Sequence, residues 1–209
     1  MNNAVRPFTH EMLVRAASLV HAGGIVAFPT DTFYALGATP FNSEAVRRIF
    51  TLKGRRTSPI LVLIRHPREL EGLVVDITPG AELLMKACWP GPLTIVFRAS
   101  PSVPSVLGAG TGTIGIRLAA TDLLQQLLEA VGGPLTGTSA NRTGAPAPTT
   151  AQEVHAGLGA DVDLILDGGP TTGGLPSTVV DTTVLPIRLI REGAVPRGVV
   201  LSIVGSLAA

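Results

Sequence analysis

Four stretches of the sequence place small hydroxyl or basic side chains at points where an apolar strand gives way to a loop. They read PTDTFY (29–34), KGRRTSP (53–59), GTSANRTG (137–144) and LPSTVVD (175–181). Taken singly, each could be an ordinary turn or a solvated helix end, because Ser, Thr and Asn are common turn formers. Rigid strand ends can, however, present side chains and backbone N–H groups to a ligand. The joint occurrence of the four stretches predicts one shared binding site.

The second and third stretches carry groups suited to a polyphosphate. Lys53 offers a compact positive charge, and Arg55 offers a planar guanidinium that can donate two parallel hydrogen bonds. Ser139 and Asn141 add neutral donors. These residues predict a local anion site, although the net charge of +1 gives no general electrostatic case for nucleic acid.

Two arginines lie in apolar strand-like segments. Arg117 is in TIGIRLA, where burial would be costly without an anionic partner, and no acidic residue is near it in sequence. A ligand carboxylate or phosphate is therefore the predicted partner of Arg117. The same reasoning applies to Arg191 in RLIREG, although its neighbour Glu192 could form an internal pair instead.

The sequence also excludes several kinds of site. GTGTIG (110–115) matches a dinucleotide-binding glycine pattern, but a strand-like segment and not a helix follows it. A Walker A phosphate loop is absent. The four histidines lack metal-ligand spacing, so we expect no metal bound by protein side chains, and the single Cys88 permits no intrachain disulfide.

Composition limits the class of protein. Apolar residues make up 45% of the chain and charged residues 15%, which excludes a disordered protein. No apolar run approaches the roughly 18 residues that span a bilayer, and no secretory signal pattern is present. We therefore expect a cytoplasmic protein that does not enter a membrane, with one domain over residues 1–209.

Periodicity and capping residues predict alternating helices and strands. Helices are expected over about 9–22, 42–53 and 78–88, and over 122–131 with a capping box formed by Asp122 and Gln125. A second capping box, Thr150 with Glu153, predicts another helix. Some predicted strands are joined by helices and others by short links, which favours an α/β fold of the α+β type with a mixed sheet. The predicted strands are IVAF, ILVLI, LTIVFRA, TIGIRLA, PLTGTSA, VDLILDGG, STVVDTT and PIRLIREG.

Seven motifs in order across residues 10–197 give the chain a family resemblance. It resembles the threonylcarbamoyl-adenylate synthase family, also called YrdC-like domains, in its short single-domain form. The resemblance implies a twisted mixed β-sheet with flanking helices that encloses a positively lined cavity. The motifs are GGIVAFPTDTFYALG, KGR with SPILVLI, WPGPLTIVF, IGIR, TSAN, STVVD and IREG.

The resemblance also implies an enzyme, a nucleotidyltransferase acting on L-threonine, bicarbonate and ATP with Mg²⁺. Its products would be L-threonylcarbamoyl-adenylate and pyrophosphate, in the first step toward N6-threonylcarbamoyladenosine at position 37 of tRNA. Downstream tRNA threonylcarbamoyl-transfer proteins would be partners, and tRNA itself is a further candidate partner.

Site residues follow from the same resemblance, motif by motif. The predicted catalytic residues are Lys53 and Arg55, which would neutralise charge on the phosphates. The predicted threonine contacts are Thr32, Arg117 and Ser177. The predicted ATP contacts are Lys53, Arg55, Ser58, Thr113, Ser139, Asn141 and Arg191.

The sequence departs from the family pattern at three positions. The link after KGR is short, so that Ser58 stands near the place of an asparagine in many relatives. Leu63 and Ala147 stand where many relatives have a histidine and a serine. Two alternatives stay open: an RNA-binding YrdC-like protein without synthase activity, and a different enzyme on the same scaffold that transfers carbamoyl groups or hydrolyses adenylates.

Overall fold

A ten-stranded sheet dominates the computed structural model, which describes residues 5–54, 58–159 and 161–205. The strand order is β1-β8-β2-β3-β7-β4-β6-β5-β9-β10, with parallel and antiparallel neighbours mixed. The strands are β1 (Val5–Pro7), β2 (Val26–Pro29), β3 (Tyr34–Gly37), β4 (Leu61–Ile64), β5 (Leu93–Arg98), β6 (Thr113–Leu118), β7 (Leu135–Ser139), β8 (Leu164–Asp167), β9 (Thr178–Asp181) and β10 (Arg188–Arg191).

Six α-helices and one 3₁₀ helix flank this sheet in the described part of the chain, which confirms the predicted mixed α/β architecture. The α-helices are α1 (His10–His21), α2 (Ser43–Leu52), α3 (Pro79–Cys88), α4 (Asp122–Val131), α5 (Ala151–Leu158) and α6 (Arg197–Val204), and the 3₁₀ helix is Pro67–Gly72.

Side-chain caps fix where the helices begin. Thr9, Asn42 and Thr78 each accept hydrogen bonds from backbone N–H groups in the first turns of α1, α2 and α3. The capping box of Thr150 and Glu153 at α5 is present as predicted. These caps satisfy N–H groups that the helix itself leaves without a partner.

The predicted capping box at α4 is wrong. Thr121, one residue before Asp122, is the N-cap and accepts from Leu124 N at 3.3 Å. The Gln125 side chain donates to the Ala119 carbonyl at 2.9 Å instead of closing a box. The box fails because the cap lies one residue earlier, which moves Gln125 out of the third helical position.

Two clusters of buried apolar side chains hold the helices on the sheet. One packs α1 and α4 against β2 and β8, and it includes Ala16, Val20, Leu127 and Leu166. The other includes side chains of the remaining α-helices, such as Ile49, and of strands β2 to β6, β8 and β9. Burial of this apolar surface stabilises the sheet, whose strand ends carry the polar side chains of interest.

None of the helices in the described part of the chain has the length and apolar content that crossing a bilayer requires.

Candidate functional site

A cavity of about 780 Å³ lies over one face of the sheet. Its lining comes from seven adjacent strands or the loops beside them, which follow one another in the sheet as β3, β7, β4, β6, β5, β9 and β10. Nine of the ten predicted site residues line it. They are Thr32, Lys53, Ser58, Thr113, Arg117, Ser139, Asn141, Ser177 and Arg191. The tenth, Arg55, lies outside the described residues. The structure therefore brings the four motif stretches together, as their joint occurrence predicts.

Strand register explains part of this convergence. Leu63 of β4 pairs with Arg117 of parallel β6, and Thr94 of β5 pairs with Val179 of parallel β9. Paired residues on neighbouring strands point to the same face of a sheet. Alternate residues of several strands thus form one floor, which is apolar at Leu61, Leu63 and Val179 and polar at Thr94 and Arg117.

Lys53 is the C-cap residue directly after α2 and lies against the loop that follows β7. Its ammonium donates to the Ser139 carbonyl at 2.5 Å, to the Asn141 carbonyl at 2.9 Å and to Asn141 Oδ1 at 3.3 Å. The Lys53 carbonyl in turn accepts from Thr143 N at 2.9 Å. The two stretches predicted to hold an anion are therefore joined directly, and Lys53 is buried at 3% exposure.

Thr30 and Thr32 form a small buried network at the turn between β2 and β3. Thr30 Oγ1 donates to the Phe33 carbonyl at 2.7 Å and lies 3.2 Å from Thr32 Oγ1. Thr32 N and Phe33 N both donate to Thr30 Oγ1, at 3.2 and 3.3 Å. This network fixes the backbone and side chain of Thr32 at the cavity wall.

The partner of Arg117 is Asp31, which corrects the expectation that only a ligand could supply the anion. The guanidinium is ion-paired with the Asp31 carboxylate, and its Nε donates to the Gly91 carbonyl at 3.0 Å. Burial lowers the pKa of Arg117, while the charge of Asp31 and its hydrogen bond act in the opposite direction. Asp31 is 86 residues away along the chain, and folding brings it to β6.

Arg191 binds the start of β9. Its guanidinium donates to the Ser177 carbonyl at 2.7 and 3.2 Å and to Ser177 Oγ at 3.3 Å. Burial lowers the pKa of Arg191, and the charge of Arg117 lowers it further. Among the described ion pairs none joins Arg191 to Glu192, whose carboxylate accepts from Arg197 N.

The structure adds lining residues that the sequence reasoning missed. Asp181 accepts from Thr183 N and Oγ1 and from Arg188 at 2.8 Å, and all three residues line the cavity. These hydrogen bonds lower the pKa of Asp181 against the opposing effect of burial. Asp181 is the last residue of the STVVD motif, so this motif was the sequence feature from which Asp181 could have been predicted to line the cavity.

Tyr34 is a second missed lining residue. Its hydroxyl donates to the Gly169 carbonyl at 2.7 Å and accepts from Gly168 N at 3.3 Å. Burial and the neighbouring Asp167 raise the pKa of Tyr34 to about 12. The neutral phenol therefore ties β3 to the segment after β8.

The charge of the lining is positive overall. The described lining contains four cationic side chains, those of Lys53, Arg117, Arg188 and Arg191, and one carboxylate, that of Asp181. This excess of positive charge agrees with the predicted positively lined cavity. No group of three or more metal-ligating side chains occurs among the described residues. The oxygens of Asp181 are already engaged by Thr183 and Arg188, so the described lining residues do not form a protein-held Mg²⁺ site.

Comparison with protein families gives one match over most of the chain. The family model for Sua5, YciO and YrdC proteins, described as "Telomere recombination", matches residues 18–193. The match spans every motif of the cavity wall from PTDTFY to RLIR.

Individual relatives are similar over nearly the whole chain. Threonylcarbamoyl-AMP synthase of Pyrococcus abyssi is 38% identical over 97% of this chain, which spans 60% of that protein. A putative threonylcarbamoyl-AMP synthase of Mycobacterium tuberculosis is 37% identical over 92% of this chain and 89% of that protein. The crystal structure of P. abyssi Sua5 complexed with L-threonine superposes with a TM-score of 0.90 at 38% identity, covering 94% of this chain and 58% of that one.

Proposed function

Because this chain belongs to the Sua5/YciO/YrdC family, we propose that it is a threonylcarbamoyl-AMP synthase. It converts L-threonine, bicarbonate and MgATP into L-threonylcarbamoyl-AMP and pyrophosphate. The product serves threonylcarbamoyladenosine modification of tRNA in the cytoplasm, through separate transfer proteins. The observation that carries the proposal is the convergence of nine predicted contact residues on one cavity.

The amino acid binds, in this proposal, at the end of the cavity formed by the β2–β3 turn and the start of β9. Arg117 donates to the threonine carboxylate, while Thr32 and Ser177 contact its remaining polar groups. Arg117 is suited to this role because Asp31 and the Gly91 carbonyl fix the guanidinium in place before ligand arrives. A guanidinium is a donor-only fork that matches a carboxylate.

The triphosphate binds at the Lys53 end. An incoming phosphate oxygen replaces Asn141 Oδ1, which lies 3.3 Å from the Lys53 ammonium, farther than the carbonyl oxygens of Ser139 and Asn141. Arg55, Ser58, Thr113, Ser139, Asn141 and Arg191 complete the ATP contacts. Magnesium enters bound to the ATP phosphates, whose oxygens are its preferred ligands.

The chemistry then depends on positioning and charge. The threonine amine condenses with bicarbonate with loss of water, or adds to CO₂ with loss of a proton, to form a carbamate. A carbamate oxygen then attacks the α-phosphorus, and the bond from that phosphorus to the leaving pyrophosphate breaks. Holding two anions in one cavity lowers the entropic barrier. Lys53 and Arg55 neutralise the charge that develops on the leaving pyrophosphate.

Pyrophosphate release tests this proposal directly. Release from MgATP should require both L-threonine and bicarbonate, and L-serine and L-valine should support less of it. Lys53→Met should lower the rate on the order of a hundredfold. Lys86→Met, at the exposed end of α3, is the matched control and should leave the rate unchanged. Release that is indifferent to threonine would contradict the proposal.

A further inference from the structure

We propose that Arg188, which is not among the residues predicted to bind substrate, contacts a phosphate of ATP in the cavity. This inference rests on the proposed function, because it names a further contact to one substrate of that reaction. Arg188 begins β10 and lines the cavity together with Arg191, the predicted ATP contact at the end of the same strand. Its side chain is 65% exposed, so a ligand can reach it.

A β-bulge places both arginines of β10 on the cavity face. Successive side chains of a regular strand point to opposite faces, so Arg188 and Arg191, three residues apart, would lie on opposite sides of the sheet. The pairing with β9 instead skips Ile190. Arg188 pairs with Asp181 before this shift. Arg191 pairs with Val179 after it, and both partners line the cavity. Bulges are common beside active sites, where they redirect a side chain.

The Asp181 carboxylate holds Arg188 in place and leaves most of its donors available. Arg188 Nη2 donates to Asp181 Oδ2 at 2.8 Å, while Thr183 donates to Oδ1 from Oγ1 and N at 2.6 and 2.9 Å. This is the one hydrogen bond that the Arg188 side chain makes within the described part of the chain, and a guanidinium has five N–H donors. The guanidinium is thus fixed before a ligand arrives and can still donate two parallel hydrogen bonds to a phosphate.

Strand register places Arg188 on the nucleotide side of the cavity. A row of directly paired residues crosses β10, β9, β5 and β6, and it consists of Arg188, Asp181, Val96 and Gly115. Gly115 lies two residues before Arg117, the proposed threonine contact, and two residues after Thr113, a proposed ATP contact. Because Gly115 has no side chain, the row leaves open floor between these two contacts. A phosphate that joins the threonine end to the nucleoside would lie over this floor, within the row that Arg188 ends.

Kinetics and equilibrium binding test the contact in the same variant. Arg188→Gln should raise the KM for ATP about tenfold, the loss of one hydrogen bond to a charged group, and leave the KM for L-threonine within about twofold of wild type. Calorimetric titration with Mg²⁺ and α,β-methylene-ATP should show the same weakening without turnover. Arg65→Gln is the matched control, since Arg65 also pairs with one carboxylate, that of Glu129, and lies outside the cavity. It should leave both KM values unchanged.

A structural role alone for Arg188 predicts a different result. If Arg188 only neutralised Asp181, Arg188→Gln would raise both KM values together or change neither, and either result would overturn the inference. Arg188→Lys keeps the charge opposite Asp181 and loses the planar fork, so it should raise the KM for ATP about threefold. This variant carries the test if Arg188→Gln does not fold. Wild-type protein without threonine-dependent pyrophosphate release would remove the proposed function, and the inference with it. Wild-type release with unaltered ATP affinity in the Arg188 variants would overturn the inference alone.

Discussion

The ion pair between Arg117 and Asp31 holds one lining side chain of the cavity in place. The side chains are 5% and 19% exposed, so both charges are largely removed from water. Breaking a buried pair by removing one partner leaves an uncompensated charge. The pair therefore matters for stability as well as for the orientation of Arg117.

Removing the Asp31 carboxylate should lower the free energy of unfolding more than removing the Arg117 guanidinium. Asp31→Asn leaves the buried guanidinium without its counter-charge, and we expect the free energy of unfolding to fall by about 3 kcal/mol. Arg117→Met should lower the free energy of unfolding by less, because the carboxylate that it leaves unpaired, Asp31, is the more exposed partner. Urea denaturation measures both.

The exposed pair of Asp76 and Arg98 gives the matched control for this comparison. Its side chains are 36% and 56% exposed, so Asp76→Asn should change stability by less than about 1 kcal/mol. Equal losses in Asp31→Asn and Asp76→Asn would show that burial does not set the cost of breaking the Arg117 pair.

Residue-level prediction worked where the signal was local. Strand-end hydroxyls and basic residues, together with the family resemblance, identified nine side chains that the structure places in one cavity, and their individual roles remain predictions. Asp31 belonged to a quoted motif, yet its pairing with Arg117 could not be predicted. The partner is 86 residues away, and only the assembled sheet brings the two together.

At the scale of elements, the phenol of Tyr34 joins β3 to the segment after β8. The Tyr34 hydroxyl is bonded to Gly168 and Gly169, and its pKa is raised to about 12 mainly by burial. The folded state therefore holds the Tyr34 proton more tightly than the unfolded state, whose pKa is 10.0.

This difference predicts a loss of stability in alkali. Stability from Tyr34 is fully present below pH 10 and should be lost as pH rises toward about 12, because the unfolded state releases the proton first. The chain contains one tyrosine, so phenolate absorbance reports this group alone. The apparent pKa should be near 12 in native protein and near 10 in denaturant. A native value near 10 would contradict the prediction.

The floor of the cavity depends on a glycine in β7. A Cβ added at Gly137 would lie 2.7 Å from Leu63 Cδ1 and 2.9 Å from Leu61 Cδ1, so these leucines would have to move. Gly137→Ala should lower the free energy of unfolding by about 1–3 kcal/mol and raise the threonine KM. Denaturation and initial rates test this.

Gly133→Ala is the control for Gly137→Ala, since a Cβ there meets no atom within 4 Å. It should leave both stability and KM near their wild-type values. Equal effects of the two alanine substitutions would mean that crowding of the leucines is not the cause.

Element prediction found short strands such as β2 and β4 as well as the longer periodic segments, but it missed strands β1 and β3. Strand β3 has only four residues, all buried, so it lacks the alternation that marks a half-buried strand. Strand β1 has three residues and owes its state to pairing with β8. The cap of α4 was misplaced by one residue because Thr121 and Asp122 are both good N-cap residues and sequence alone does not rank them.

At the scale of the whole molecule, the cavity exists because distant parts of the sheet meet. The segment between β8 and β9 crosses to the β2–β3 turn, where Gly173 N donates to the Thr32 carbonyl at 2.8 Å. Thr172 Oγ1 donates to the Asp31 carbonyl at 2.7 Å. The strands between them supply the floor, so a ligand in the cavity would contact much of the fold at once and stabilise it as a unit.

The distribution of charge over the molecule argues against the RNA-binding alternative. Net charge is +1, and six arginines of the described residues are paired with carboxylates, five of them outside the buried Arg117 pair. Binding to a nucleic-acid backbone requires several cations that can release counterions from phosphates. We therefore expect fluorescence anisotropy with labelled tRNA to give a dissociation constant weaker than about 1 μM at physiological salt. Submicromolar binding that weakens steeply with salt would instead show a basic surface capable of holding RNA and would favour that alternative.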